Sequence, residues 1–160
     1  GRTRTTRSST PVNLDAIKYI TEKIGDTDVP VIANGDCFNL KDFQDIAEYT
    51  GTDGIMAVRG LLDNPALFHG HDTCPWGAVE LFWHYAMEFG GLPYALLQHH
   101  LHCMLKSMGL DKDLHKEMML VKTTAELIDW FDLHFILKRE GEVGFGETDK
   151  IPYKSSVSKV

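Results

Sequence analysis

No stretch of about 18 consecutive apolar residues occurs in the chain, so it carries no pattern for a membrane-spanning helix. Cysteine is scarce: Cys37, Cys74 and Cys103 are the only three in 160 residues. An odd number at irregular spacing excludes a regular disulfide framework and leads to the expectation of free thiols in a reducing compartment. No internal repeat is present, which excludes solenoids and propellers. The opening residues, Gly1-Arg2-Thr3-Arg4, lack the apolar stretch of a secretory signal. A start at Gly rather than Met leads to the expectation that the chain begins inside a longer protein. Positive charge is in deficit, with 16 Lys and Arg against 23 Asp and Glu for a net charge of −7. That balance weighs against nucleic-acid binding over the whole surface. The deficit is uneven, however. Residues 1–11 hold Arg2, Arg4 and Arg7 and no acid, a basic stretch that suits either RNA contact or a solvated terminus.

What the chain does have is a dense central stretch from Val29 to Phe68. Val29-Pro30-Val31-Ile32-Ala33 is an apolar run of the kind buried on both faces of a parallel sheet. Asn34-Gly35-Asp36 ends it with turn chemistry. Leu40, Phe43, Ile46 and Ala47 form a helical stripe, and Gly51 is placed to stop that helix. Gly54 to Val58 is a second buried-type strand, followed at once by Arg59-Gly60. Two strands joined by a helix at this spacing predict a parallel βαβ unit. Ligands gather at the carboxyl ends of such strands. Here those ends carry glycine, which admits close backbone approach, and arginine, which offers a donor fork to phosphate. Two ordinary loops with turn glycines would read the same way on spacing alone.

Three ordered segments bring a family into view. They are Gly1-Arg2-Thr3-Arg4; Pro30-Val31-Ile32-Ala33-Asn34-Gly35-Asp36; and Asp53-Gly54 through Arg59-Gly60 to Asn64-Pro65 and Phe68. The chain resembles the last third of a tRNA-dihydrouridine synthase, strongly over residues 1 to about 68 and more loosely beyond. The resemblance implies an α/β fold: the C-terminal part of a TIM (β/α)8 barrel, its last strands and helices, followed by a small all-α helical bundle. It implies FMN-dependent reduction of uridine to 5,6-dihydrouridine in tRNA, with NADPH or NADH as reductant. It places Asn34, Gly35, Asp36, Val58 and Arg59 against the FMN phosphate and Arg2, Arg4 and Lys106 against tRNA. The family's general-acid cysteine belongs to an earlier strand. None of the three cysteines here sits in its N-x-G-C-P setting, so no catalytic residue is assigned and the isolated fragment is expected to be inactive.

By composition, His69 to Gly77 (HGHDTCPWG) is a linker. The spacing of His69, His71 and Cys74 matches no zinc pattern. Beyond it the spacing predicts helices over Trp76–Phe89, Leu92–Met108, Leu114 to about Val121, and Thr123 or Thr124 to about Glu140. Short loops between them predict an antiparallel bundle. His99, His100, His102 and Cys103 crowd the second of these helices. The pairs His99/His102 and His100/Cys103 diverge on the helix surface, so no metal is expected. The domain scheme is residues 1–70 for the barrel portion, 76–140 for the bundle, and 141–160 as a flexible tail. A tRNA-binding monomer of the cytoplasm, with the nucleus as alternative, is the expectation. Two other readings stay open: another FMN-binding barrel oxidoreductase, or a truncated, non-catalytic product that binds RNA or a partner through the bundle.

Overall fold

Asparagine starts the first two helices. In α1 (Leu14–Ile24) the Asn13 side chain accepts the Ala16 N–H at 2.9 Å. In α2 (Leu40–Thr50) Asn39 accepts the Asp42 N–H at 2.8 Å, and the Asp42 carboxylate reaches back to the Phe38 N–H at 2.9 Å. Side chains thus satisfy helix-end donors that have no partner within the helix. The structure, a computed structural model, describes residues 9–25 and 27–154; Arg2 and Arg4 lie outside them. After α1 and α2, with strand β1 (Ile32–Asn34) between them, come β2 (Gly54–Met56), α3 (Arg59–Asp63), a 3₁₀ turn at Leu67–His69, α4 (Trp76–Phe89), α5 (Tyr94–Ser107), α6 (Lys112–Leu120) and α7 (Thr124–His134).

The chain divides into two units, Gly1–Leu61 with Leu67–Asp72, and Leu62–Ala66 with Thr73–Val160. In the first, β1 and β2 pair in parallel with Ile32 opposite Gly54, Ala33 opposite Ile55 and Asn34 opposite Met56. The β-α-β order expected from the sequence is therefore present. The strands are shorter than the expected 29–33 and 54–58. Pro30 has no N–H to pair, and the Val31 N–H goes to the Asp53 carboxylate at 2.8 Å rather than to a neighbouring strand. Only one sheet face is covered among the described residues. Ala33 packs with Ile17, Ile46 and Leu67, while Ile32 and Met56, on the other face by strand alternation, are about half exposed. The expectation of burial on both faces is not met there.

The second unit closes around Trp76, Leu97, Leu101, Met104, Met118, Leu127 and Phe131, all essentially inaccessible to solvent. Its helices follow the predicted periodicity to within about two residues, except at one end. The helix expected to reach about Glu140 stops at His134, because Phe135 turns extended and forms an antiparallel bridge with Tyr153. Ahead of these helices, the stretch from Leu61 to Phe68 is interrupted at Asn64-Pro65, giving α3 and then the 3₁₀ turn, as a proline inside a helical stretch requires.

Residues 141–154 are not a free tail. Trp76 donates its backbone N–H to the Asp149 carbonyl and Gly77 to the Thr148 carbonyl. Gly77 must be glycine: a Cβ there would stand 2.1 Å from the Gly146 carbonyl oxygen. The centre of this attachment is Glu80, 1% exposed. Its Oε1 accepts the Trp76 indole N–H at 3.0 Å and the Lys138 backbone N–H at 3.1 Å, and its Oε2 accepts the Gly146 N–H at 3.0 Å. The sequence gives this acid no mark, since it sits within a stretch that is otherwise apolar.

Glu80→Ala would strand three donors, each costing roughly 1–3 kcal/mol if left dry. We expect a loss of about 3 kcal/mol or more in chemical denaturation. Glu80→Gln keeps Oε1 but turns an amide donor toward Gly146, so amide exchange at Gly146 should accelerate while Lys138 stays protected. Equal exchange at both amides would contradict this account.

Candidate functional site

The carboxyl ends of β1 and β2 lie side by side because the strands are parallel and in register. The loop after β1, Asn34 to Phe38, and the segment after β2, Met56 to Gly60, line a concavity of about 70 Å³. That is the space of roughly two waters, the scale of a phosphoryl group and not of a whole cofactor. One residue ties the loops together. Asp36 accepts the Val12 N–H on one oxygen at 3.0 Å, and its other oxygen takes Arg59 Nη2 at 2.5 Å. Asp36 does so with φ +31°, alone among the described non-glycine residues in having a positive φ. The conformation is uncommon, and Asp tolerates it better than most residues.

Arg59 is fixed on two sides. Asp36 holds one end of the guanidinium, and the Phe38 ring lies 5.2 Å from its carbon, a cation–π contact. Its side chain remains 46% exposed, so part of its five-donor fork still faces water. Gly35 and Gly60 have a different role from the one read in the sequence. A Cβ on Gly35 would strike Val12 at 2.4 Å, and one on Gly60 would strike the Cys37 carbonyl oxygen at 2.2 Å. The glycines let the loops close on their own neighbours, and that closure sets the concavity. Asn34, Gly35, Asp36, Val58 and Arg59 are thus brought together as read from the sequence. Val12 and Phe38 were missed; an isolated Val before a helix and an aromatic in a loop carry no pattern of their own.

All three cysteines are free thiols. Burial pushes the Cys74 thiol up to about 12. Burial raises Cys37, with Asp42 adding to the effect, and raises Cys103, with Asp63 adding. Lys106, in the last turn of α5, belongs to a different group. His102 of α5 stacks on His115 of α6, ring centroids 4.6 Å apart and planes 21° from parallel. Burial lowers both imidazoles. His115, Lys106 and His99 lower His102 further against an opposing pull from Asp63, and Lys106 lowers His115. The close pair on α5 is His99 with Cys103, Nε2 to Sγ 3.9 Å, in place of the i,i+3 pairs weighed from spacing. Among the described residues no group of three or more His, Cys, Asp or Glu is placed to hold a metal.

Comparison with known proteins bears on what this arrangement serves. The family model described as dihydrouridine synthase (Dus) matches residues 1–158. The chain belongs to the dihydrouridine synthase family. This is a (β/α)8-barrel family, and membership sets aside the other flavin barrels. A Saccharomyces cerevisiae protein named tRNA-dihydrouridine(20a/20b) synthase (NAD(P)+) is 62% identical over 98% of this chain and 42% of its own length. A Schizosaccharomyces pombe protein of the same name is 44% identical over 92% of this chain and 44% of its own. A human protein named as like that synthase is 36% identical over 84% and 41%. The chain therefore spans under half the length of these relatives. Within the synthase family, the segment Cys74 to Phe82 and the His99–Leu105 helix pointed from sequence to this same 20a/20b group.

Acid should loosen the α5–α6 packing. Both stacked imidazoles titrate below the ordinary value of 6.5 when folded, so the unfolded chain binds protons that the folded one excludes. The stability they contribute is present above 6.5 and lost as pH falls through that value toward the lower folded ones. Thermal melts from about pH 7.5 down to about pH 5.5 should show a falling midpoint. In His115→Gln the fall should be smaller. Identical pH dependence in the two proteins would refute the assignment.

Proposed function

We propose that this chain is the C-terminal portion of an FMN-dependent tRNA-dihydrouridine synthase, contributing the last barrel strands and a helical bundle that meets tRNA. What supports the reading is the 62% identity over 98% of the chain to a protein of that name, together with a phosphate-sized concavity lined by Arg59 at two parallel strand ends. When bound, reduced FMN supplies the hydride for the 5,6 double bond of uridine, and NADPH or NADH replenishes it.

The residues fit a phosphate. Arg59 supplies the charge, held in place by Asp36 and Phe38 so that little side-chain freedom is lost on binding. The backbone around Gly35 and Val58 supplies the walls, and Asn34 a polar side chain. Asp36 is read as the anchor of Arg59 rather than a ligand, since a carboxylate repels phosphate. The proton for the reduced uridine is assigned to none of Cys37, Cys74 or Cys103. In the bundle, Lys106 is proposed to contact tRNA, with Arg2 and Arg4 from the opening segment. The contacts are to backbone and shape, which a chain of net charge −7 makes locally rather than over its whole surface. The uridines modified are proposed to be 20a and 20b, in a monomeric enzyme of the cytoplasm.

The test exchanges this chain for the matching region of the Saccharomyces relative, in cells lacking that relative's gene. Mass spectrometry of isolated tRNA should find dihydrouridine restored at 20a and 20b. A folded, FMN-loaded chimera that leaves both as uridine would overturn the reading. In the same chimera, Arg59→Ala removes a charge-assisted contact of roughly 1.5–3 kcal/mol, so FMN retention should fall about ten- to a hundredfold. Full flavin occupancy in that variant would remove Arg59 from the site.

A further inference from the structure

A cavity of about 550 Å³ opens within the second unit, inside the size range of small-molecule sites. It is built from α4, α7 and the segment that follows α7. Trp83, Met87, Ile128 and Leu137 give it apolar walls. The Trp83 indole is backed by Phe131 at 4.7 Å. The third wall, Leu137 to Glu140, is secured through the Lys138 bond to Glu80. These surfaces are formed before any ligand arrives.

The charged groups around this cavity are not equivalent. Glu88 and Glu140 both lie against His84 Nε2, at 3.1 and 3.4 Å, and the Lys138 ammonium goes to the Gly144 carbonyl. Arg139 and Asp132 also line the cavity, and neither side chain has a hydrogen bond or ion pair to any described residue. One flat aromatic, one uncommitted cation and one uncommitted carboxylate share a space too large for a simple ion. An aromatic takes the face of a planar ring, an arginine takes a phosphate, and a carboxylate takes amino and imino N–H groups.

We propose that this cavity binds a nucleotide, its base against Trp83, its ring N–H or amino group on Asp132 and its phosphate on Arg139. The source is either an unpaired residue of an RNA or a free mononucleotide. The RNA source rests on the proposed action on tRNA; the chemistry of the site does not.

The experiment uses the full-length, FMN-loaded protein. Equilibrium dialysis with radiolabelled AMP and UMP should show saturable binding that Arg139→Ser weakens about tenfold, the loss of one charge-assisted contact. Arg139 is exposed, so its variant should fold normally, and Trp83→Leu should weaken binding in the same way. Filter binding of tRNA then separates the sources. Weaker binding in Arg139→Ser identifies an RNA residue, and unchanged tRNA binding identifies a free nucleotide. Absence of saturable mononucleotide binding, together with unchanged tRNA affinity in Arg139→Ser, overturns the proposal. So does saturation by spermidine but by neither nucleotide, which would make this a cation site. Dihydrouridine formation is scored separately, so the enzymatic reading can fail without this one and this one without it.

Discussion

The larger unit depends on a carboxylate that water does not reach. Glu80 takes donors from its own helix, from the segment after α7 and from the glycine-rich turn near Gly146. A buried acid is tolerable only when its oxygens are engaged, so the three donors and the acid require one another. Everything beyond His134 follows from that. The Phe135–Tyr153 bridge, the backbone bonds of Trp76 and Gly77, and the wall of the 550 Å³ cavity all lie on the segment that Glu80 secures. Remove the acid and the helices keep their apolar core, but one face of the unit loses its cover.

In the smaller unit the corresponding part belongs to Asp36, though the physics differs. It is partly exposed and works by geometry, joining the segment before α1, the loop after β1 and the start of α3. An ion pair at such a surface contributes little to stability. Its effect is to hold Arg59 in one orientation beside Phe38, which matters for recognition more than for folding. The two buried-type runs bring the strand ends together, and the glycines bring the loops within reach. The acid then decides where the cation points.

Much of this was legible in the residues. The order β1, α2, β2 followed from apolar runs and a helical stripe, and Gly51 and Thr123 marked helix ends where they stand. The strand-end loops could be named because parallel sheets place ligands there. What could not be read depended on distant partners. Nothing in the Gly141–Lys154 composition announces that Glu80, 58 residues from Lys138 and 66 from Gly146, holds that segment down. Glycines there read as flexibility, while Gly77 shows that absent side chains also permit backbone-to-backbone contact. The stop at His134 was hidden for the same reason, since the residues after it are helix-compatible and only Tyr153 makes them extended. The meeting of Asp36 with Val12 likewise spans 24 residues and leaves no local trace.

The half-exposed sheet face has a consequence for handling the protein. Ile32, Met56 and Val58 stand 48–56% exposed, with Val29 close by at 62%. Neither strand itself contains a lysine or proline, and among the described residues each pairs on one side only. Such a surface is a template for further strands, from whatever chain offers them. Produced by itself at high concentration, this chain would therefore be limited by self-association rather than by unfolding. Its colloidal behaviour would improve with dilution or a solubilising partner sooner than with cooling, because lower temperature weakens apolar attraction only gradually.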